Sequence, residues 1–309
     1  MIQIAKTRCG AARRLGYCLR GLLAALLLSA AAATTLAAET SLYWSISRDG
    51  EPVGRLLGTI HSEDPRVLDF PDAFVTELTS HRVFAMEMVP DLPTLARLTD
   101  YMHYQDGTRL VDVVGPERFA LLQTTLEGYR TPPGWVDGMK VWAAVLTLSV
   151  PPPETGFFMD LSLSLRAAGA GLRVIGLETL EQQLAFLENM RLDQQLELLD
   201  HALAEHGQVD AVHDALVDSY LEGDLSSLEE LSNEQMQDLE PDARDYFMSE
   251  GIDARNRRML ESVRPELEEG GVFIAVGALH LPGETGLVNL LRSNGYQLEP
   301  LASPFSAPE

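Results

Sequence analysis

Residues 272–280 read VFIAVGALH, and residues 53–61 read VGRLLGTIH. Both stretches are short and mostly apolar, as expected of strands that are buried in a sheet. Both also close on the motif Gly-x-x-His, which composition alone produces about 0.5 times in such a chain. Two copies that each directly follow a predicted strand are less expected by chance than two copies at arbitrary positions. The pair therefore predicts an α/β sheet in which His61 and His280 each follow the carboxyl end of a strand.

The chain around these two stretches alternates between strand-like and helix-like patterns. The turn residues Arg48–Pro52, with Asp-Gly at their centre, predict a hairpin between the first two strands. Three prolines, 151–153, interrupt a helical pattern and predict a loop. Thr179 and Gln182 have the spacing of a capping box at the start of a helix. Strands are expected at 42–47, 53–60, 82–88, 172–175, 272–276 and 297–301, and helices at 71–80, 92–103, 116–128, 138–148, 160–168, 252–268 and 284–293.

These elements predict an α/β fold with α+β character. A small, mixed but mainly parallel central sheet is expected from the N- and C-terminal portions, flanked by helices, with a helical insert in the middle. Residues 193–250 stand out in that insert because they hold 17 acidic residues and one basic residue, Arg244. Such a charge run is typical of a solvated helical face; the alternative is a lid or a partner-docking surface.

The first residues of the chain are predicted to lie outside the fold. Five basic residues and no acidic one are followed by an apolar run of about a dozen residues and then by small residues. This is the layout of a secretory signal peptide, expected at 1–38, because a spanning helix needs about 20 apolar residues. An uncleaved N-terminal anchor is the alternative. The rest, 39–309, is expected to be a single exported domain, periplasmic or secreted, without a transmembrane segment.

Composition excludes several functional classes. The 309 residues carry 46 acidic and 23 basic side chains, a formal net charge of −23. This acidity argues against nucleic acid or anionic lipid as the main partner. Both cysteines, Cys9 and Cys18, fall in the predicted leader, which excludes disulfides, thiolate metal sites and a Cys nucleophile from the mature chain. The G-x-S-x-G, G-x-x-x-x-G-K-[ST] and H-E-x-x-H motifs are absent. Any metal site is therefore built from histidine and carboxylate.

The candidates for chemistry follow strands. Ligands collect beyond the carboxyl ends of strands in open α/β sheets, so His61 and His280 can bind a divalent metal if their strands are neighbours. The alternative is a pair of structural, hydrogen-bonded histidines. Glu87 lies near the end of RVFAMEM, and Glu178 ends LRVIGLE. A buried Glu87 needs a metal or a cation to offset its burial, unless the strand ends earlier and the side chain is exposed.

Two further residues have competing interpretations. Arg255, in the predicted helix DARNRRM, can stabilise an oxyanion or hold a substrate carboxylate, and a salt bridge within this acidic protein is at least as good an explanation. Asp160 opens a helix and can be a cap or a first-turn acid that the helix dipole stabilises. The remaining histidines are interpreted as ordinary surface or helix residues: His81, His103, His201, His206 and His213.

Taken together, the motifs resemble the TraB/GumN family. LLGTIH, the acidic strand end AMEM, GLETLEQQ, DARNRRM and FIAVGALHLPGETGLVNLLRSNGYQL occur in the family's order over about residues 42–301. The family includes the animal Tiki proteins, which resemble metal-dependent proteases, as well as plasmid pheromone-shutdown proteins and proteins linked to exopolysaccharide gene clusters. More distant relatives of similar fold resemble erythromycin esterases and a haem-binding lipoprotein. The family's Lys-Pro-Trp is Lys140-Val141-Trp142 in this chain.

The resemblance implies an exported, metal-dependent hydrolase, peptidase-like in its chemistry. His61, His280 and Glu87 would be the metal ligands, with Glu87 as ligand or general base and with Glu178 and Arg255 in support. The expected metal is Mn, Co, Zn or Fe, and the expected partner is a peptide or protein substrate. Two alternatives stay open: a non-catalytic envelope protein that binds peptide, haem or glycan, and an accessory factor in exopolysaccharide or envelope assembly.

Overall fold

The computed structural model describes residues 40–132 and 134–305. The predicted leader, 1–38, lies outside the described residues. Within the described ranges, one sheet contains six strands. They are β1 (Tyr43–Arg48), β2 (Glu51–Thr59), β3 (Val83–Met86), β4 (Arg173–Gly176), β5 (Val272–Gly277) and β6 (Gln297–Leu301).

The sheet is mixed and has a parallel centre. Its strand order is β4-β3-β5-β2-β1-β6. β4, β3, β5 and β2 run parallel to one another, whereas β1 is antiparallel to both β2 and β6. Parallel neighbours need crossover connections, which explains the helices that separate the central strands. The predicted α/β fold with a mainly parallel, helix-flanked sheet is confirmed.

Helices form most of the connections between strands. In chain order they are α1 (Pro65–Leu68), α2 (Asp72–Thr79), α3 (Leu92–Tyr101), α4 (Leu110–Val114), α5 (Pro116–Thr125), α6 (Trp135–Gly138), α7 (Val141–Leu148), α8 (Met159–Gly169), α9 (Leu180–Glu188), α10 (Leu192–Glu205), α11 (Val209–Glu222), α12 (Leu225–Met236), α13 (Pro241–Tyr246), α14 (Ala254–Glu269) and α15 (Leu287–Ser293). A π-helical segment, Phe247–Asp253, leads into α14. None of the helices in the described part of the chain has the length and apolar character that crossing a membrane requires.

Local sequence signals account for several of these boundaries. Asp49 and Gly50 have positive φ angles of 54° and 84°, the conformation that Asp-Gly favours in a two-residue hairpin turn. Thr179 Oγ1 accepts the Gln182 N–H at 3.2 Å, and Gln182 Oε1 accepts the Thr179 N–H at 2.9 Å. The predicted hairpin and the predicted capping box at the start of α9 are both confirmed.

Two helices begin later than their sequence patterns indicate. α7 begins at Val141 instead of residue 138, because the Lys140 N–H donates to Met102 O and residue 140 is extended. α15 begins at Leu287 instead of residue 284, because the preceding residues form a turn in which the Gly286 N–H donates to a carbonyl three residues earlier. In both cases a contact outside the helix overrides the apolar periodicity.

Among the described residues, the sheet is the centre of the larger of two hydrophobic clusters. Trp44, Phe84 and Phe273 are fully buried there, and the last two rings stack with their centres 6.1 Å apart. A second cluster lies among the helices around Trp142 and Leu199. Full burial of one large apolar side chain contributes roughly 1.5–3 kcal/mol. The strands that carry the candidate residues are therefore fixed by a substantial part of the core.

The acidic segment 193–250 is helical, as predicted, and is anchored in the core. It spans most of α10 and all of α11 to α13. Val217 and Tyr220 of α11 are fully buried, and the Tyr220 hydroxyl donates to Gly58 O at 2.8 Å. The segment therefore supports the end of β2, just before His61.

Replacement of Gly54 by alanine tests how closely the central strands pack. Gly54 of β2 pairs with Val272 of β5, and a Cβ on it would lie 2.3 Å from Val272 O and 2.9 Å from Val272 Cγ1. Because a backbone atom is hit, the strands must shift. We expect Gly54→Ala to lower the free energy of unfolding by roughly 1–3 kcal/mol in urea titrations.

The matched control is Gly169→Ala at the end of α8, where an added Cβ meets nothing within 4 Å. We expect its stability to stay within about 0.5 kcal/mol of the wild type or to rise. Equal stability of Gly54→Ala and the wild type would contradict the packing described here.

Candidate functional site

The carboxyl ends of the four parallel strands meet at one edge of the sheet. Glu178 follows β4, Glu87 follows β3, His280 follows β5 and His61 follows β2. These strands are neighbours in that order, with a spacing of about 4.8 Å, so the four residues form a row. The strand order also changes direction at β3, since the chain continues to β4 on one side and returns in β5 on the other. Ligand sites of open α/β sheets lie at such a position.

Glu87 is the residue to which the others at this edge are joined. Its Oε1 accepts the Gly277 N–H at 2.7 Å, and its Oε2 accepts Arg255 Nη2 at 2.6 Å and Gln183 Nε2 at 3.0 Å. Burial raises the pKa of the carboxyl, but His280 in its protonated form, the charge of Arg255 and the backbone hydrogen bond lower it to about 2 overall. The side chain is 18% exposed although β3 ends one residue earlier. Glu87 is therefore a largely buried carboxylate that is ionised at pH 7.

Arg255, in the first turn of α14, joins Glu87 to a second carboxylate. Its Nε donates to Glu178 Oε2 at 2.8 Å, and the side chain of Glu178 has no exposed surface. Arg258 Nη2 approaches the other Glu178 oxygen at 3.4 Å. A buried carboxylate without a cation costs several kcal/mol, so the guanidinium stabilises the whole cluster. Arg255 thus forms the salt bridge that the sequence left as one of its interpretations.

His280 presents one ring nitrogen to this cluster. Its Nδ1 lies 2.7 Å from Asn256 Oδ1, and Asn256 Nδ2 donates to Thr285 O at 2.9 Å. Because the amide nitrogen is used for that carbonyl, the amide oxygen faces the ring, and we assign the proton of neutral His280 to Nδ1. Burial lowers the pKa of His280 to about 4, so the ring is neutral at pH 7. Its Nε2 then carries a free lone pair.

That lone pair lies close to a second acceptor. His280 Nε2 is 3.7 Å from Glu87 Oε1. With a neutral imidazole and an ionised carboxylate, two acceptors approach each other, which is unfavourable unless a cation or a donor lies between them. Two ligands bonded at about 2.1 Å to a tetrahedral ion are about 3.4 Å apart. The separation is therefore close to the one that a metal ion requires.

His61 is held by a loop that is fixed to the end of its own strand. The Glu63 carboxylate accepts the Thr155 N–H at 2.7 Å, the Thr155 hydroxyl at 2.9 Å and the Gly156 N–H at 2.8 Å. The loop then places the centre of the Phe158 ring 4.0 Å from that of the His61 ring. The surrounding protein partly desolvates the ring and lowers the pKa of His61 below its ordinary value, although the residue is exposed on one side. Both candidate histidines are thus neutral at pH 7, which is the form that binds a metal.

Asp160 adds a carboxyl group with a different protonation state. It lies in the first turn of α8, which agrees with the interpretation as a first-turn acid, and its carboxylate accepts the Thr59 hydroxyl at 2.7 Å. Burial raises the pKa of Asp160 to about 7; the Thr59 hydrogen bond opposes this rise and the charge of Glu87 adds to it. At pH 7 Glu87 is ionised and Asp160 is about half protonated. In hydrolases such a difference lets one carboxyl act as a base and the other as an acid.

The glycines of the two Gly-x-x-His motifs are explained by contacts at this edge. A Cβ on Gly277 would lie 3.1 Å from Glu87 Oε1, the oxygen that accepts its N–H. A Cβ on Gly58 would lie 3.0 Å from the Cα of Ala278, inside the other motif. The absence of a side chain at Gly277 lets the backbone approach the Glu87 carboxylate, and its absence at Gly58 lets the ends of β2 and β5 pack together.

All five residues predicted from sequence lie at this edge of the sheet. Glu87, Glu178, Arg255 and His280 are joined by the contacts described above. His61 is linked to them electrostatically, since the charge of Glu87 acts to raise its pKa against the effect of burial. Their roles in metal binding or catalysis stay predictions.

The donors fit a metal in their chemistry without forming a complete ligand cage. His280 Nε2 and Glu87 Oε1 are a pair with suitable spacing. Within residues 40–132 and 134–305, however, no three His, Cys, Asp or Glu side chains are grouped in a way that could hold an ion. His61, the expected third ligand, therefore does not complete the set in this conformation.

Three residues at this edge were not among the sequence-based candidates. Gln183 and Asn256 orient two of those candidates through hydrogen bonds. They lie in the GLETLEQQ and DARNRRM motifs, so the family resemblance contained a signal for both. His213 of α11 lies near enough to His61 for its charge to lower the pKa of His61. Its sequence neighbourhood gives no such signal, because only the packing of α11 brings it here.

A surface depression of about 670 Å³ is lined by none of the five candidates. Lys140 lies in it, with its ammonium 4.8 Å from the centre of the Tyr101 ring and 2.8 Å from Glu188 Oε1. Trp142 Nε1 donates to the other Glu188 oxygen at 2.6 Å. The Lys140-Val141-Trp142 segment is thus part of a separate aromatic and charged cluster.

Comparisons with known proteins agree with the motifs at this edge. A model of the TraB/PrgY/gumN family matches residues 42–300. Metalloprotease TIKI1 of Danio rerio is 26% identical over 311 residues, which cover 84% of this chain and 63% of the relative. Metalloprotease TIKI1 of Homo sapiens is 26% identical over 313 residues, or 84% and 61%. Metalloprotease TIKI2 of Xenopus tropicalis is 26% identical over 324 residues, or 86% and 61%.

The chain thus spans about three fifths of the length of these curated relatives. No solved structure matches the chain significantly. The similarity of fold to erythromycin esterases and to a haem-binding lipoprotein therefore stays a prediction.

Asp160→Asn tests the pKa that burial gives to Asp160. In the folded protein this pKa is about 7, above the ordinary value of 3.8, so the native state binds the proton more tightly. The stability that this proton contributes is fully present below pH 4 and is lost as pH rises to 7, by up to about 1.4 kcal/mol per unit. We therefore expect Asp160→Asn to gain stability relative to the wild type by a few kcal/mol between pH 4 and pH 8.

Urea titrations in the presence of a chelator measure this difference. Asp72→Asn is the control, because Asp72 is an exposed first-turn acid of α2, and its effect is expected to vary by no more than about 0.5 kcal/mol over the same pH range. Parallel stability curves for Asp160→Asn and the wild type would contradict the raised pKa.

Proposed function

The chain belongs to the TraB/PrgY/gumN family, and from that premise we propose that it is an exported, metal-dependent hydrolase of the peptidase type. The relatives named metalloproteases support this reading, and a peptide or protein is the proposed substrate. The proposed ligands are His61, His280 and Glu87. Glu178 and Arg255 are proposed to support them.

One observation carries the metal part of the proposal. A neutral His280 Nε2 and an ionised Glu87 Oε1 approach to 3.7 Å, and a divalent cation would turn this repulsion into binding. The hydrogen bond from His280 Nδ1 to Asn256 is the outer-shell support that metal-bound histidines usually have. Donors of this type suit Mn, Co, Zn or Fe. Such an ion would supply Lewis-acid polarisation of the scissile carbonyl and activation of water.

The chain's own residues divide the remaining tasks. Glu87 is proposed as a ligand or, alternatively, as the general base, because it is ionised at pH 7 and its Oε1 lies 3.7 Å from His280 Nε2. Arg255 is assigned to holding Glu87, since its guanidinium already binds two carboxylates and is not free for an oxyanion. Asp160, half protonated at pH 7, is the proposed proton donor to the leaving amine. The pair of carboxyls would thus provide base and acid within one buried site.

A second candidate function is non-catalytic binding of a peptide or glycan. The depression around Tyr101 and Lys140 favours it, because aromatic faces beside paired charges are typical of such surfaces. A protein of this kind would bind its ligand equally well after Glu87→Gln. Loss of binding in Tyr101→Ala, with no cleavage of any peptide by the wild type, would favour this candidate over the hydrolase.

Asn256→Ala tests the metal proposal without touching a proposed ligand. The variant removes the acceptor for His280 Nδ1–H, so the ring loses its fixed tautomer. We expect the wild type to bind about one Mn²⁺ or Zn²⁺ per chain by calorimetry, and the affinity of Asn256→Ala to fall by about 10- to 100-fold. A peptide library should be cleaved by the metal-loaded wild type and not after chelation or in Glu87→Gln.

His103→Ala is the control for this experiment. Its ring packs edge-on against Trp135, apart from the candidate residues, so metal affinity should not change. A wild type that binds no divalent ion, or an Asn256→Ala variant that binds it as tightly as the wild type, would overturn the proposed ligand set.

Export is tested by the N-terminus of the protein isolated from a bacterial host. Cleavage of the predicted signal peptide should give a protein in the periplasm or medium that begins at residue 38 or 39. A variant with glutamate in place of Arg13 and Arg14 should be exported less, because the basic start of the leader is reversed. An intact N-terminus in the membrane fraction would instead support the anchor, and an intact N-terminus in the cytoplasm would contradict export.

A further inference from the structure

The amide of Asn256 can adopt two orientations, and the carbonyl of Thr285 selects one of them. Asn256 Nδ2 donates to Thr285 O at 2.9 Å, which leaves Asn256 Oδ1 at 2.7 Å from His280 Nδ1. Reversal of the amide would turn its oxygen toward the Thr285 carbonyl, where two acceptors would meet. The carbonyl of Thr285 therefore holds the amide oxygen toward the ring.

The orientation of the amide determines which ring nitrogen of His280 carries the proton. When Asn256 Oδ1 faces the ring, Nδ1 of the neutral imidazole is protonated and Nε2 keeps a lone pair for a metal. With the amide reversed, Nδ1 would accept and Nε2–H would point toward Glu87 Oε1, which lies 3.7 Å away. Because that state gains an interaction between an N–H and an ionised carboxylate, a metal-binding His280 needs a group that excludes it.

Thr285 lies in the loop that joins His280 to α15, and its own side chain fixes it there. Thr285 Oγ1 donates to Asp253 Oδ1 at 2.5 Å. Asp253 directly precedes α14, and its carboxylate makes no capping hydrogen bond with that helix, although aspartate commonly does so at this position. The Thr285 hydroxyl thus ties the loop to the helix start from which Asn256 projects.

Burial makes these contacts effective. Asn256 has no exposed surface and His280 is 5% exposed, while Asp253 and Thr285 are partly buried. If the Thr285 carbonyl moved away, the amide nitrogen of Asn256 would have little access to water. A buried donor in this condition turns to an acceptor within reach, and the unprotonated form of His280 Nδ1 is one.

We infer that Thr285 is a positioning residue of the proposed metal site. Its hydrogen bond to Asp253 holds its carbonyl against the Asn256 amide. That amide in turn keeps the proton of His280 on Nδ1, so that Nε2 faces Glu87 as a lone pair. The inference rests on the proposed function for its purpose, whereas the tautomer that it names can be measured without any metal.

Nitrogen NMR of the histidine rings reads the tautomer directly. The protein is labelled with ¹⁵N-histidine and studied at pH 7 with a chelator, and the His280 signals are assigned by their loss in His280→Gln. We expect a protonated Nδ1 in the wild type and in Thr285→Ser, which keeps the hydroxyl. In Thr285→Val, which removes the hydroxyl with little change of shape, the protonated fraction of Nε2 should rise.

A double-mutant cycle on Zn²⁺ affinity separates positioning from a general loss of structure. By calorimetry, Thr285→Val should bind Zn²⁺ about 10-fold more weakly than the wild type, as expected for loss of outer-shell support. In the Asn256→Ala background the amide is already gone, and the same substitution should change the affinity by less than about 2-fold. A purely structural effect would lower the affinity in both backgrounds.

Thr79→Val is the matched control. Thr79 is also partly buried, and its hydroxyl donates to Val75 O at 2.8 Å within α2. It precedes β3, whereas Glu87 follows that strand, so the tautomer and the Zn²⁺ affinity should match those of the wild type. Asp253→Ala breaks the proposed bond from its other side and should reproduce Thr285→Val, which keeps the test decisive if either variant fails to fold.

The outcomes separate this inference from the proposed function. A protonated Nε2 in the wild type, an unchanged tautomer in Thr285→Val, or an equal loss of Zn²⁺ affinity in both backgrounds overturns the inference alone. A wild type that binds no divalent ion overturns the proposed metal site, while the NMR signals still decide whether Thr285 positions His280.

Discussion

One buried guanidinium determines the arrangement of the whole candidate site. Arg255 binds Glu87 at 2.6 Å and Glu178 at 2.8 Å, and so joins the carboxyl ends of β3 and β4 to α14. Removing a single partner from such a cluster leaves an uncompensated buried charge, which costs roughly 3–5 kcal/mol. Because Glu87 is held and ionised in this way, it can accept the N–H of Gly277, the last residue of β5, and lie beside His280. The positions of the two histidines relative to Glu87 therefore matter for binding only while this ion pair holds Glu87 in place.

Much of the fold could be predicted from sequence because its signals are local. The Asp-Gly turn, the capping box at Thr179 and the apolar strands depend on residues within a few positions of one another. The later start of α7 could not be predicted, since a contact with Met102 from another part of the chain decides it, whereas the start of α15 depends on a local turn between Gly283 and Gly286. Apolar periodicity predicts which face of a helix or strand is buried, but it does not predict the contacts that determine where the element begins or ends.

The candidate site, too, has features that local sequence predicts and features that only the packing of distant segments decides. The strand-exit positions of His61 and His280 are local facts, and the parallel order of β3, β5 and β2 turns them into neighbours. The apolar run before Glu87 indicates that its side chain can be buried, but the approach of His213 depends on a helix from distant sequence, so no pattern near His213 indicates it. Likewise, the charge of the acidic stretch predicts a separate insert, whereas Tyr220 within it donates to Gly58 O at the end of β2. The charge of the acidic segment predicts its exposed surface, but it does not predict that the segment supports the end of β2.

The central claim is that His280 and Glu87 face each other in order to share a cation. Anomalous diffraction from crystals soaked in Mn²⁺ tests it most directly. A peak within about 2.3 Å of both His280 Nε2 and Glu87 Oε1, with His61 turned toward the same ion, is the predicted result. Mn²⁺ bound only elsewhere, with His280 Nε2 in a direct hydrogen bond to Glu87, would contradict the account.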